Sequence, residues 1–218
     1  MPVWVAANGL YPISWIDPLG HDRETERTNF VYVGRLVEEK KPLLLVEGFA
    51  RFVREFSDSR TRLVIVGDGP EMAGLRERVS ALGIDERVEF RGHVSDFSEL
   101  KEIYSTALAS VSPGYVGLSL TQTLGFGVPM IVADDEPHAP EVELLTAETG
   151  VYFNANDPES LAGTMRAMVE DSQLWASRRK DLIGLVQRTY SADAMAEGFV
   201  EAIRTAWDGR RGSHHGNY

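Results

Sequence analysis

The segment Ser112–Pro129, which reads SPGYVGLSLTQTLGFGVP, decides the fold prediction for this chain. A short apolar run leads into it, a Pro-Gly corner opens it, and a helix-like segment follows its second glycine. This order of strand, glycine-rich turn and helix N-terminus is significant. It brings free backbone N–H groups and the positive end of a helix dipole to one point. The segment therefore predicts an anion site suited to a phosphate.

The composition of the 218 residues is that of an ordinary soluble globular protein, with 43% hydrophobic and 25% charged residues. The formal net charge of −11 argues against nucleic acid as a partner, and it requires that a bound phosphate be held by local donors. Disulfides and thiolate metal sites are excluded because the chain has no cysteine. We find no basic leader and no run of about 18 apolar residues, so we expect no signal peptide, no membrane span and a cytoplasmic location.

Short apolar runs alternate with segments of helical periodicity over most of the chain. The predicted strands are Phe30–Val33, Leu63–Val66, Val88–Phe90, Leu108–Val111, Met130–Ala133 and Gly150–Phe153. Short, wholly apolar strands that alternate with helices are typical of a parallel sheet covered on both faces. We therefore predict an α/β fold, a doubly wound Rossmann-like parallel sheet of about six strands with helices on both faces. Its ligand crevice should lie at the carboxyl ends of the strands.

The chain is expected to hold one folded domain with two appendages. Residues 1–29 are irregular and are predicted to be a lead-in, and residues 30–208 are predicted to form the domain. The last helix of the domain is expected over Ala192–Trp207. Residues 209–218 are polar and glycine-rich, and they are predicted to be a disordered tail.

Two basic residues follow the first predicted strand. Arg35 leaves the strand end, and Lys40 stands five residues later, at the start of the next helix. Two cations at the rim of the crevice, opposite a helix start, could clamp a diphosphate through charge-assisted hydrogen bonds. The alternative is that both are solvent-exposed charges in a loop that also holds Glu38 and Glu39. Spacing does not decide between Lys40 and the adjacent Lys41.

Other patterns carry less information. The dinucleotide-binding pattern G-x-G-x-x-G is not met after the second strand, because Met72 stands where the third glycine is required. The acidic run Asp134–Glu136 is more typical of a solvated loop than of a metal site, and no histidine pair has metal-ligand spacing. His93 and His138 are isolated in the sequence. The sequence predicts no metal site and does not identify a catalytic residue.

Four motifs occur in a fixed order and resemble one family. They are GRLVEEK (Gly34–Lys40), LVIVGDGP (Leu63–Pro70), VEFRGHV (Val88–Val94) and the SPGYVGL…GFGVPMIVA run that begins at Ser112. Together they resemble the C-terminal, donor-binding domain of GT-B fold glycosyltransferases of the GT4 type, over about residues 31–170. The resemblance implies that the domain binds a nucleotide-diphospho-sugar, with UDP or GDP as the expected nucleotide. It also implies an enzyme that transfers a hexosyl group with retention and needs no metal or other cofactor.

The resemblance assigns donor-binding residues. The family's diphosphate-binding Arg and Lys match Arg35 and Lys40. Its Gly-Leu pair at a helix start matches Gly117 and Leu118, with the Ser119 hydroxyl beside them. The base is expected to contact the chain near Gly92, His93 and Val94.

The chain departs from the family at two glutamates. Where the family commonly has a sugar-contacting and a ribose-contacting glutamate, this chain has Gly114 and Gln122. The Gln122 amide can still hydrogen-bond a ribose hydroxyl, whereas Gly114 can offer only backbone to the sugar. His138 is a further sugar-contact candidate, and Glu141 is predicted either to cap its helix or to reach the sugar.

The resemblance implies a second domain for which this chain has no room. GT-B enzymes usually bind the acceptor on an N-terminal domain, and Val3–Gly9 is similar to the linker that follows it. We expect a saccharide, lipid-linked or small-molecule acceptor on that domain, and little catalysis without it. A membrane-peripheral location stays open for the full-length protein. One alternative is a non-catalytic nucleotide-sugar-binding module or scaffold, which Gly114 favours, and a weaker one is a sugar-nucleotide epimerase.

Overall fold

Six strands form one parallel sheet in this computed structural model, which describes residues 7–16, 27–56 and 60–212. The strands are β1 (Asn29–Val33), β2 (Leu63–Val66), β3 (Val88–Gly92), β4 (Ala107–Ser112), β5 (Met130–Ala133) and β6 (Gly150–Phe153). Their spatial order is β3-β2-β1-β4-β5-β6, and every neighbouring pair is parallel. The chain winds outward in both directions from β1 and β4, as in a doubly wound fold. The predicted fold class is confirmed.

Helices connect the strands and cover both faces of the sheet. The α-helices are α1 (Pro42–Glu55), α2 (Met72–Ala81), α3 (Phe97–Ser105), α4 (Leu118–Gly125), α5 (Pro158–Glu170), α6 (Ser172–Thr189) and α7 (Ala192–Gly212). Short 3₁₀ helices occur at Glu38–Lys40, Asp85–Arg87 and Pro140–Leu144. Asp96 caps α3 by accepting the Glu99 N–H (2.9 Å), and Asp157 caps α5 in the same way.

The two faces of the sheet bury different side chains, because successive residues of a strand point to opposite sides. Phe30 and Tyr32 of β1 lie in the core shared with α1, α2 and α5, whereas Val31 lies in the core on the other face, with α3. A second cluster on that face joins α4 to α6. The central strands are therefore buried on both faces, which explains why they read as continuous apolar runs.

Residues 7–16 pack against the folded domain, although the sequence predicted a lead-in over residues 1–29. Ile16 is 3% exposed in the cluster formed by α4 and α6. The Tyr11 ring packs on Phe97 and Phe126, with centroid distances of 4.9 and 6.1 Å. The Ala192 N–H at the start of α7 donates to the Tyr11 carbonyl (2.9 Å). Residues 7–16 therefore pack as part of the domain. Residues 1–6 and 17–26 of the predicted lead-in lie outside the described residues.

The last helix is longer than the sequence predicted. Helix α7 continues to Gly212, so the residues from Gly209 to Gly212, which were predicted to begin the tail, are helical. The rest of the tail, residues 213–218, lies outside the described residues, and its disorder stays a prediction. In the part of the chain that the structure describes, no helix is long and apolar enough to cross a membrane.

Candidate functional site

All six parallel strands end at one edge of the sheet, and the loops after five neighbouring strands form a continuous row along it. The loops after β3 and β2 come first, followed by those after β1, β4 and β5. Because parallel strands lie about 4.8 Å apart, the three intervals from β2 to β5 span about 14 Å. The topology thus brings most of the predicted site residues to one rim.

A cleft of about 1190 Å³ opens along the β1, β4 and β5 part of this row. All five residues predicted to bind a diphosphate line it, namely Arg35, Lys40, Gly117, Leu118 and Ser119. Glu141, one of the sugar-contact candidates, also lines it. Lys41, which spacing left as an alternative to Lys40, lines it too. The sequence assigned no role in a donor site to four further polar lining residues: Asn8, Glu39, Tyr115 and Glu136.

A smaller cavity of about 250 Å³ adjoins the cleft at the ends of β2 and β3. It shares the start of the β1 loop with the cleft. His93 and Val94, which were predicted to contact a base, line this cavity together with Asp68. Gly92 does not line it; its carbonyl accepts the Gly67 N–H (2.7 Å). Two of the three residues predicted to contact a base therefore line this cavity.

The loop after β1 rests on the turn after β2. The Gly34 N–H donates to the Val66 carbonyl (3.0 Å), and the Leu36 N–H donates to the Asp68 carbonyl (2.9 Å). Gly67 has a φ of 140°, and a Cβ there would overlap the Gly34 carbonyl oxygen. Only glycine fits this position. The Gly-Asp-Gly turn therefore serves a close backbone contact that supports the loop carrying Arg35.

Lys40 is held at the cleft by uncharged groups. Its Nζ donates to the Tyr115 carbonyl (2.7 Å) and lies 4.4 Å from the centroid of the Tyr115 ring. Burial, and then the charge of Arg35, lower the pKa of Lys40 below its ordinary value. An anion between Lys40 and Arg35 would relieve the repulsion of the two cations. This pair is therefore well placed to attract a phosphate.

Lys41 lines the same cleft, but an ion pair already compensates its charge. Its Nζ contacts Glu136 Oε1 and donates to Asn156 Oδ1 (2.7 Å). The Glu136 side chain is 8% exposed, so this carboxylate depends on Lys41 for a compensating charge. Lys41 and Asn156 both have a positive φ, 48° and 60° respectively. The structure thus distinguishes the two adjacent lysines by their partners, which spacing alone could not do.

The start of helix α4 lines the same cleft as Arg35 and Lys40. Gly117 is its N-cap residue, and no side chain caps this helix. The first N–H groups of a helix have no partner within the helix. The backbone of Gly117, Leu118 and Ser119 therefore offers donors, and the helix dipole adds positive potential.

Gly114, which was predicted as a sugar contact, is not among the residues that line the cleft. It is buried, and a Cβ there would overlap the Glu39 carbonyl oxygen and lie 3.0 Å from the Lys40 carbonyl carbon. The neighbouring Tyr115 N–H donates to the same Glu39 carbonyl (3.2 Å). The missing side chain therefore lets the turn after β4 press against the loop after β1. A glutamate at this position would require the two loops to separate.

Gln122 is also absent from the residues that line the cleft. Its Nε2 donates to Tyr11 Oη (2.6 Å), and its Oε1 lies 3.5 Å from Tyr104 Oη. The amide is therefore part of a polar network between residues 7–16 and helices α3 and α4. The ribose contact of Gln122 stays a prediction.

His138 has both ring nitrogens engaged with backbone. Nδ1 accepts the Val116 N–H (3.1 Å), so the proton of the neutral ring is on Nε2, which lies 2.8 Å from the Ala133 carbonyl oxygen. The ring joins the end of β5 to the turn before α4. His138 therefore has a positioning role in this structure and is not among the cleft-lining residues.

Glu141 reaches the cleft at its β5 end. Its Oε1 accepts a hydrogen bond from Asn8 Nδ2 (3.0 Å), and both side chains line the cleft. No side chain caps the 3₁₀ helix Pro140–Leu144. Glu141 therefore does not cap its helix, and its contact with a sugar stays a prediction. Asn8 was missed because its partner is 133 residues away in sequence.

Residues 17–199 match the family described as glycosyl transferases group 1. The chain belongs to this family. A GDP-mannose-dependent alpha-(1-6)-phosphatidylinositol dimannoside mannosyltransferase of Mycobacterium tuberculosis is 30% identical over 142 residues, which cover 64% of this chain and 35% of that protein. An N-acetyl-alpha-D-glucosaminyl L-malate synthase of Bacillus anthracis is 27% identical over 144 residues, covering 66% of this chain and 36% of the synthase. The matched region is thus about a third of the length of these relatives.

Solved structures of the GT-B glycosyltransferase fold resemble the whole domain. HepE of Anabaena, solved in complex with UDP, superimposes with a TM-score of 0.72 at 17% identity, covering 90% of this chain and 56% of HepE. Sucrose-phosphate synthase of Thermosynechococcus elongatus gives a TM-score of 0.70 at 22% identity, covering 92% of this chain and 50% of the synthase. The family resemblance noted from the four motifs is confirmed. Among the described residues, no cluster of three or more His, Asp or Glu side chains could hold a metal ion.

Proposed function

We propose that this chain is the donor-binding domain of a retaining glycosyltransferase that moves a hexosyl group from a nucleotide-diphospho-sugar to an acceptor. One observation carries the proposal. Arg35 and Lys40 line the same cleft as the uncapped start of α4, and a cavity that adjoins this cleft lies beside His93 and Val94. The row of loops then offers a place for a base, two phosphates and a sugar in that order.

The cleft residues would do their work on the diphosphate. Arg35 and Lys40 would donate charge-assisted hydrogen bonds to it, and the backbone at Gly117, Leu118 and Ser119 would hold a phosphate at the helix start. Negative charge grows on the diphosphate as the sugar leaves, and fixed positive groups lower the energy of that state. In the proposed mechanism these groups would supply the positive charge, and no metal ion would be required.

We propose classes of nucleotide and acceptor, not single compounds. The mycobacterial relative is named as GDP-mannose-dependent and HepE was solved with UDP, so UDP and GDP are the two nucleotides to test. A saccharide, lipid-linked or small-molecule acceptor would bind outside this domain, since the relatives are about three times longer than the matched region. Transfer would then require both parts to hold their substrates together.

Calorimetric titration with UDP, GDP and ADP tests the proposal directly. We expect UDP or GDP to bind, and we expect Arg35→Ala to lower the affinity about ten- to hundredfold, because a charge-assisted hydrogen bond is lost. Lys180→Ala is the matched control, since Lys180 is an exposed cation on α6 and does not line the cleft. Equal affinity of the wild type, Arg35→Ala and Lys180→Ala would refute the assignment.

Gly114 favours a second candidate function, a nucleotide-sugar-binding module without chemistry. The buried glycine leaves no room for the glutamate that the resemblance places near the sugar. Donor turnover in a protein that also carries the acceptor-binding part separates the two functions. Nucleotide-sugar binding without turnover would favour the module.

A further inference from the structure

Asn8 and Glu141 meet at the β5 end of the cleft. Asn8 Nδ2 donates to Glu141 Oε1 (3.0 Å), which leaves Glu141 Oε2 and Asn8 Oδ1 as acceptors and one Asn8 N–H as a donor. Carboxylate and amide groups are suited to hydroxyl groups, which both donate and accept. The pair lines the cleft together with the groups proposed to hold a diphosphate.

The position of Asn8 is fixed by backbone contacts on its own segment. A Cβ at Gly9 would overlap the Ser191 carbonyl oxygen, so the segment lies directly against the junction of α6 and α7. The Ala192 N–H donates to the Tyr11 carbonyl (2.9 Å). Asp193 Oδ2 accepts the Ile13 N–H (2.6 Å). Asn8 is therefore held at the cleft by the body of the domain.

The order of the loops indicates which part of the donor would lie beside Asn8 and Glu141. The cavity beside His93 and Val94 lies at the β2 and β3 end, Arg35 and Lys40 lie after β1, and Glu141 follows β5. A donor that places its base in the cavity and its diphosphate at the cations continues toward β5. The group carried by the second phosphate would therefore lie beside Glu141.

The charges at this end select among sugars. Lys41 lines the cleft here, but its Nζ is bound to Glu136 and Asn156. The partner that the structure gives Glu141 is the neutral amide of Asn8. A carboxylate on the sugar would be repelled by Glu141 and would have no cation left to pair with among the described cleft residues, whereas sugar hydroxyls would donate to the same carboxylate.

We propose that Glu141 binds hydroxyl groups of the donor sugar, that Asn8 is the positioning residue that orients Glu141, and that the site takes a neutral hexosyl group and rejects a uronic acid. This inference rests on the proposed donor-binding function. It assigns Asn8, from a segment before β1, to the sugar end of the site. It also restricts the donor class to neutral sugars.

Calorimetry with matched nucleotides tests this inference. The set is UDP, UDP-glucose and UDP-glucuronic acid, or GDP, GDP-mannose and GDP-mannuronic acid if GDP is the nucleotide that binds. We expect the wild type to bind the hexose donor at least about tenfold more tightly than the uronic acid donor. Glu141→Gln should lower the affinity for the hexose donor about tenfold and reduce the difference in affinity between the hexose and uronic acid donors. The affinity for UDP or GDP without a sugar should change by no more than about twofold.

Asn8→Ala separates positioning from a general effect on stability. It should weaken the hexose donor about threefold in the wild-type background and have almost no further effect in Glu141→Gln, because residues that act through one another are not additive. Asn8→Asp should weaken the hexose donor further, since a second carboxylate would push Glu141 away. Glu143→Gln, exposed on the same 3₁₀ helix and away from the cleft, is the control and should change none of these affinities.

The outcomes distinguish this inference from the proposed function. Binding of UDP or GDP with equal affinities for the hexose and uronic acid donors would overturn the inference alone. If Glu141→Gln lowered the affinities for UDP or GDP and for the hexose donor equally, the inference would also be overturned. A wild-type chain that binds none of the nucleotides would overturn the proposed function and this inference with it.

Discussion

The two ends of the cleft treat charge differently. At the β1 and β4 end, Arg35 and Lys40 line the cleft with a helix start, and the described partners of the Lys40 ammonium are a carbonyl and an aromatic ring. At the β5 end, Lys41 is paired with Glu136, whose side chain is 8% exposed, and Glu141 accepts from a neutral amide. Positive charge without a counterion attracts an anion, whereas paired charge does not. Two adjacent lysines can therefore serve a ligand and the fold separately.

The largest effect is expected where the two loops touch. Gly114→Glu would push the turn after β4 away from the loop after β1, because even a Cβ overlaps the Glu39 carbonyl oxygen. We expect UDP or GDP affinity to fall more than about a hundredfold. The free energy of unfolding should fall by about 1–3 kcal/mol, as for overpacked cores. Calorimetry and chemical denaturation measure the two quantities.

Gly163→Ala provides the matched control for that substitution. Gly163 lies on an exposed part of α5, and a Cβ there would meet no atom within 4 Å. The variant should bind nucleotide like the wild type and should unfold at the same or a slightly higher denaturant concentration, since alanine favours helices. A Gly114→Glu variant that behaves like this control would show that the loops do not need their close contact.

The next effect contrasts the two lysines. Lys40→Met should lower nucleotide affinity about ten- to hundredfold and change stability little, because its ammonium is half-buried beside neutral partners. Lys41→Met should instead lower the free energy of unfolding by about 1–3 kcal/mol, since it leaves the Glu136 carboxylate buried and unpaired. Titration calorimetry and denaturant unfolding of both variants give the comparison.

The double variant Lys41→Met with Glu136→Gln sharpens the same contrast. Removing the orphaned charge should recover part of the lost stability, because the cost comes from burying an unpaired carboxylate. The same loss of nucleotide affinity in both single variants would contradict the division of roles between the lysines.

The smallest effect is a pH dependence carried by Lys40. Burial and Arg35 lower its pKa below 10.5, so between the lowered and the ordinary pKa the unfolded chain binds more protons than the folded one. The contribution of Lys40 to the free energy of unfolding therefore rises with pH across that window. Bound diphosphate favours the charged ammonium, so nucleotide affinity should fall about severalfold as the pH rises through the lowered pKa.

Proton uptake checks this linkage. Binding heats measured near the top of the window in buffers of different ionisation enthalpy should show protons taken up by the wild type. Lys40→Met should lose this uptake and Lys41→Met should keep it. Uptake that persists without Lys40 would assign the titration to another group.

The sequence was sufficient for the sheet and for placing Arg35 and Lys40 at the same cleft as the start of α4. Each strand is a short apolar run, because both faces of a parallel sheet are covered, and the carboxyl ends of parallel strands must meet at one rim. Arg35 and Lys40 could therefore be placed at one rim with Gly117 without coordinates. The features that mattered were local runs and the order of motifs along the chain.

The partners of the side chains at the β5 end of the cleft could not be predicted in this way, because they come from distant parts of the chain. The Asn8 to Glu141 hydrogen bond joins residues 133 positions apart, and the Lys41 to Glu136 ion pair crosses from one loop to another. The partner of Gln122 was missed for the same reason. The position of Gln122 relative to Gly117 suggested a ribose contact, but Tyr11, from a segment predicted to lie outside the domain, holds its amide.

The row of loops has a consequence for how enzymes with this domain diversify. If base, diphosphate and sugar meet loops that follow different strands, each part of the donor is read by a separately encoded segment. A lineage, or an engineer, could then exchange the sugar preference through Glu141 and Asn8 while the base preference and the anion clamp stay intact. Donor choice would evolve in modules, with the sheet as the fixed frame that keeps the modules in register.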